Sequence, residues 1–149
     1  MNKRHLFTLM ILAVLLSFSS FVTAQNEDQG GRPLSASLTG AAEVPGPGDT
    51  DGTGTVKITL NQGKGEICFE LTVSNIAAAT AAHIHEAPAG QAGPVVVTLA
   101  PPPTGGSSKN CVSADEDLIK RIRQNPENFY VNVHNAELPD GAVRGQLSK

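Results

Sequence analysis

Thr55-Val-Lys-Ile-Thr-Leu60, Asn61-Gln-Gly-Lys-Gly65 and Glu66-Ile-Cys-Phe-Glu-Leu-Thr-Val73 follow one another in the chain. In the first, Val56, Ile58 and Leu60 fall on alternate positions; in the third, Ile67, Phe69, Leu71 and Val73 do the same. Side chains at i and i+2 of a strand share a face, so each run presents one apolar side. The glycine-bearing middle piece is a tight turn, and the whole reads as a β-hairpin with one greasy face. Such a face must be covered, and the rest of the chain offers mainly more strands. Leu34-Ser-Ala-Ser-Leu38 alternates in the same way. Glu43–Gly54 carries Pro45, Gly46, Pro47, Gly48, Gly52 and Gly54 and is a loop. Ala81–Glu86 and Pro94–Leu99 are short apolar runs around a second loop, Ala87–Gly93. Pro101–Ser108 is a connector. Asp115–Gln124 is a helix candidate, with Ser113 and Glu116 as a capping pair, Leu118, Ile119 and Ile122 as its apolar stripe, and Pro126 beyond its end. Phe129–His134 and Ala142–Leu147 are final strands joined by the turn sequence Leu138-Pro-Asp-Gly141. The expectation is an all-β chain of about seven strands with one short helix, built as a β-sandwich or Greek-key barrel. With one Tyr and no Trp, its core is aliphatic.

The chain ends set the compartment. Lys3 and Arg4 precede an apolar run, Leu6–Leu16, and Val22-Thr-Ala24 supplies the small residues that a signal peptidase reads. Residues 1–24 are therefore expected to be a signal peptide and 25–33 a polar, flexible lead-in, followed by a domain at 34–148. A retained membrane anchor would need roughly 20 apolar residues, and Ser17, Ser19 and Ser20 dilute the run too early. The expected product is secreted or periplasmic, with no membrane association after cleavage. Losing Lys3 and Arg4 takes the net charge from −3 to −5. An acidic chain without a basic cluster argues against nucleic acid as a partner. Cys68 and Cys111 are the two cysteines. In an oxidising compartment such a pair is expected as a disulfide, worth roughly 3–4 kcal/mol by chain entropy, with two free buried thiols as the alternative.

Three histidines remain after His5 leaves with the signal: His83-Ile-His85 and His134 in Tyr130-Val-Asn-Val-His134. Strand parity puts His83 and His85 on one face. It also puts Tyr130, Asn132 and His134 together, with Val131 and Val133 turned to the core. If the strands are neighbours, three imidazoles meet. Both methionines lie in the signal, and if the cysteines are paired no thiolate remains, so the expected donor set is nitrogen and oxygen: His83, His85 and His134, with water, Glu86 or Asn132. Imidazole suits copper, the first choice here, and zinc, the second. The alternative is a set of histidines whose hydrogen bonds merely brace loops. Arg144 is expected to form a structural ion pair with Glu43, with Glu137 or an anion beside the histidines as other partners. No serine sits in a nucleophile elbow, and Asp115, Glu116 and Asp117 suit the dipole of a helix start, so no catalytic residue is assigned.

Leu38-Thr-Gly-Ala-Ala-Glu-Val-Pro45, Ala81-Ala-His-Ile-His-Glu86 with Gly93-Pro-Val-Val96, Tyr130-Val-Asn-Val-His134 and Gly141-Ala-Val-Arg-Gly-Gln-Leu147 occur in order. In these blocks the chain resembles the CHRD (chordin) domain family over about residues 34–148. The resemblance implies an immunoglobulin-like sandwich and an extracytoplasmic setting. It also implies kinship with modules of a secreted growth-factor antagonist, with a stand-alone copy, lacking that protein's cysteine-rich growth-factor-binding modules, as the expectation here. The His-x-His strand is similar to the ligand strand of copper/zinc superoxide dismutase, yet three histidines leave no counterpart for that enzyme's bridging histidine and zinc-site residues. The expected function is a non-enzymatic binding module for a metal ion or an extracellular protein partner. A dismutase-like copper redox enzyme and a metal-free structural or adhesion domain are the alternatives.

Overall fold

The computed structural model describes residues 33–104 and 106–149. The expected signal peptide, 1–24, and all of the lead-in except residue 33 lie outside the described residues. The strands are β1 (Leu34–Thr39), β2 (Thr53–Asn61), β3 (Glu66–Ser74), β4 (Ala79–Glu86), β5 (Val95–Leu99), β6 (Ser107–Ser113), β7 (Phe129–Asn135) and β8 (Val143–Gln146), with one helix, α1 (Glu116–Gln124), between β6 and β7. They form one antiparallel sheet of eight strands in the order β5-β4-β7-β8-β1-β2-β3-β6. The sheet rolls over so that its two edges approach: the Ser108 hydroxyl just inside β6 donates to the Ala100 carbonyl just past β5, 2.8 Å away. With the two edges approaching at this point, the strand order traces a Greek-key path in a barrel-like sandwich.

The alternation in the sequence decides what fills the roll. Val56, Ile58 and Leu60 of β2 and Ile67, Phe69, Leu71 and Val73 of β3 are buried. They share one core with Ala82 and Ile84 of β4, Val131 and Val133 of β7, and Leu118, Ile119 and Ile122 of α1. The hairpin closes through the turn Gln62–Lys64, where the Asn61 side chain accepts from Lys64 N–H and Gly65 takes a left-handed conformation, φ 59°.

Two expectations are corrected. The strand count is eight because β6 runs through Ser107-Ser-Lys-Asn-Cys-Val-Ser113, where no strand is read from the sequence. No β6 residue is buried, so it lacks the apolar alternation that reveals a strand; it is held by its ladder to β3, in which Cys68 lies opposite Cys111. The helix cap is Asp115 and not Ser113. The Asp115 carboxylate accepts from the N–H groups of Asp117 and Leu118, at 2.9 and 3.1 Å, while Ser113 ends β6.

Candidate metal centre

The sheet's ladder builds the site. His83 lies opposite Asn132 and His85 opposite Tyr130 on the β4–β7 pair, with His134 one step along opposite Ala81. On the β7–β8 pair, Asn132 lies opposite Arg144 and Tyr130 opposite Gln146. Paired residues point to the same side, so these side chains share the face turned away from the apolar core. The loop after β1 and the loop after β4 fold over that face. Glu43, His85, Asn132 and Arg144 are consequently buried, Arg144 to 2 % exposure. Burying so many polar groups together is costly unless each finds a partner.

The three rings meet. Centroids of His83 and His134 are 5.0 Å apart, His83 and His85 5.6 Å, and His85 and His134 6.4 Å. One nitrogen from each lies within 4.8 Å of the others. Backbone carbonyls, which can only accept, assign the tautomers. His85 Nδ1 is 2.8 Å from the Gly93 carbonyl and His134 Nδ1 is 2.9 Å from that of Pro139, so both Nδ1 atoms carry the hydrogen. Each Nε2 is thereby left unprotonated, the arrangement by which outer partners orient metal-binding histidines. His83 Nδ1 then donates to His134 Nε2 across 3.1 Å. For all three to face one ion, that proton must move to the other nitrogen of His83. His85 Nε2 is buried without a hydrogen-bond partner. A buried lone pair that no donor answers fits a metal ion; the donor set fits one equally well, being all imidazole.

The electrostatics favour the neutral form of His83 and His85. Burial first, and then the neighbouring His134 and His85, push the His83 pKa below its ordinary value of 6.5. Burial also lowers that of His85, helped by His134 and Arg144 and opposed by the hydrogen bond to Gly93 and the Asn132 side chain. The ring of Tyr130 stacks on His85 at 4.7 Å and 9°, its hydroxyl accepts from Gly93 N–H at 3.2 Å, and the Arg144 guanidinium lies 3.4 Å from its centroid.

Other expected site residues fall elsewhere. Glu86 has the opposite parity to His85 and is gripped by Arg121 of α1 at 3.0 Å, so it is not in the histidine group. Asn132 is in place, its Oδ1 buried and unpartnered. Cys68 and Cys111 are joined as a disulfide, which closes off the grouping of Glu66, Cys68 and Cys111 to any metal. Glu43 and Arg144 share the covered face but form no direct ion pair; among the described residues the ion pairs are Lys109–Glu70 and Arg121–Glu86. Arg144 instead gives one Nη2 hydrogen bond to the Pro88 carbonyl, at 3.2 Å. The loop after β4, whose path sequence parity does not encode, supplies that competing acceptor. The Glu43 carboxyl, wedged where a Cβ on Gly48 or Gly141 would overlap it, has its pKa raised by burial from 4.5 to about 7, against the pull of Arg144 and Asn132.

Gly93, Pro139 and Gln146 belong to the site and were not singled out from sequence. For Gln146 the signal was available, since it shares the parity of Arg144 on β8. The two carbonyls have no side-chain signature. A family model described as CHRD domain matches residues 34–147. No curated protein and no solved structure matches the chain.

Proposed function

The chain belongs to the CHRD domain family, and from that premise we propose that it is a secreted or periplasmic, non-enzymatic binding module that holds copper through His83, His85 and His134. The observation that carries the reading is the pair of Nε2 lone pairs, on His85 and His134, fixed by backbone carbonyls beside the third ring and all within 4.8 Å. With their pKa values lowered, His83 and His85 need lose no proton to bind near pH 7, apart from the tautomer shift at His83. When bound, copper would supply a redox-active Lewis acid. The protein's part is to hold the nitrogens still and stack Tyr130 against one of the rings. The Cys68–Cys111 bond suits an oxidising compartment.

Copper titration of the wild type and of His83→Ala/His134→Ala tests this. Neither ring is fully buried, so the variant should fold, and its affinity should fall by roughly 100-fold or more. Equal affinities would overturn the site. Superoxide consumption by the copper-loaded protein no faster than that of buffer is the result expected of a module; a faster rate, lost in the double variant, would replace this reading with the dismutase-like one.

A further inference from the structure

The covered face contains a second unanswered polar group. Three of its buried atoms, Glu43 Oε1, Arg144 Nη1 and Gln146 Oε1, have no hydrogen-bond partner. Their residues line one cleft of about 280 Å³ together with Ala42, Ala89 and Gly90. Each is pinned by other contacts. Arg144 is fixed by Tyr130 and the Pro88 carbonyl. Gln146 Nε2 donates to the carbonyls of Ala87, Glu127 and Phe129 at 2.7–2.9 Å, which fixes its amide and leaves Oε1 free. Glu43 is wedged against Gly48 and Gly141. Rigid groups that leave one atom each unpaired, and do not pair with one another, are the pattern of a preformed site rather than of a loosely packed interior.

The unpaired atoms specify the occupant. Arg144 offers a cationic donor that fits a carboxylate. Glu43 and Gln146 offer two acceptors that fit an ammonium, whose three hydrogens are all donors. A cleft at the small end of the ligand-pocket range leaves room for a short side chain only. We propose that this cleft binds a small α-amino acid, its carboxylate on Arg144 and its ammonium between Glu43 and Gln146. The ammonium would also favour the ionised form of the Glu43 carboxyl, which burial alone disfavours.

Calorimetry of the wild type with alanine, propionate and ethylamine tests this, in the presence of a strong chelator so that copper–amino acid complexes contribute nothing. Alanine should bind, and each half-ligand should bind roughly tenfold or more weakly, as expected for losing a hydrogen-bonded charge. Glu43→Gln should weaken alanine by a similar factor, while His83→Ala/His134→Ala should leave it unchanged, which separates this site from the metal centre. Arg144→Gln should abolish binding; if that variant does not fold, Glu43→Gln carries the test. No heat with alanine, the result if the cleft holds water alone, would overturn the proposal. So would propionate binding as tightly as alanine, or a Glu43→Gln affinity equal to the wild type.

Discussion

A carboxyl with a pKa of about 7 makes Glu43 a readable reporter of the covered face. Its value is raised above the unfolded one, so the native state holds an extra proton between about pH 4.5 and 7. The stability this confers is full below pH 4.5 and is lost as pH rises through 7. Glu43→Gln has a similar shape and no proton to lose. The wild type should therefore lose stability relative to that variant across this window, by about 3 kcal/mol in total. Both proteins carry His83 and His85, whose lowered values act in the opposite sense at acid pH and cancel in the difference. Urea denaturation of both across the range checks this, and parallel pH profiles would refute the burial of the carboxyl. The histidine face was legible because parity on a strand is a local rule: once Val131 and Val133 go inward, His134 cannot. The Glu43–Arg144 contact was not legible. Whether two opposite charges touch depends on where the Pro88 carbonyl and Gly141 lie, and those positions are set by loops.

Elements with an apolar stripe could be read, and those without one could not. The hairpin β2–β3 and the helix face Leu118, Ile119 and Ile122 stand where the periodicity puts them. Strand β6 escaped because every one of its side chains is at least partly exposed. The helix start shows a subtler failure. Ser113 and Asp115 are both good capping residues, and the sequence alone does not say which the chain leaves free. β6 does: its ladder runs to Ser113, opposite Glu66, and leaves Asp115 to turn and cap. Replacing Asp115 by Ala should cost about 1 kcal/mol, whereas Ser113→Ala should be close to neutral. Thermal melting of the two variants checks the assignment, and a larger loss for Ser113→Ala would reverse it.

At the scale of the molecule, the covalent link and the site lie on different parts of the roll. Cys68 and Cys111 are separated by 43 residues, and the loop between them carries β4 and β5, hence His83 and His85. His134 is on β7, outside that loop, so the site forms only when the closed segment docks onto the later strands. In the unfolded chain the disulfide removes the freedom of this segment, which is worth about 4 kcal/mol in the chain-entropy model. In the folded chain the β4–β7 ladder, with seven paired positions from Ala79–Asn135 to Glu86–Phe129, fixes the histidines by itself. A Cys68→Ala/Cys111→Ala variant should therefore unfold at markedly lower denaturant, and hydrogen exchange should show β6 loosened first, because none of its residues is fully buried and Val112 alone of its apolar side chains packs against the core. Its copper affinity, measured where it is still folded, should equal that of the wild type. An unchanged midpoint would mean that the unfolded chain is restrained by something other than the bond. A fall in affinity at full foldedness would mean that the edge strand, and not the β4–β7 pairing, holds the rings in place.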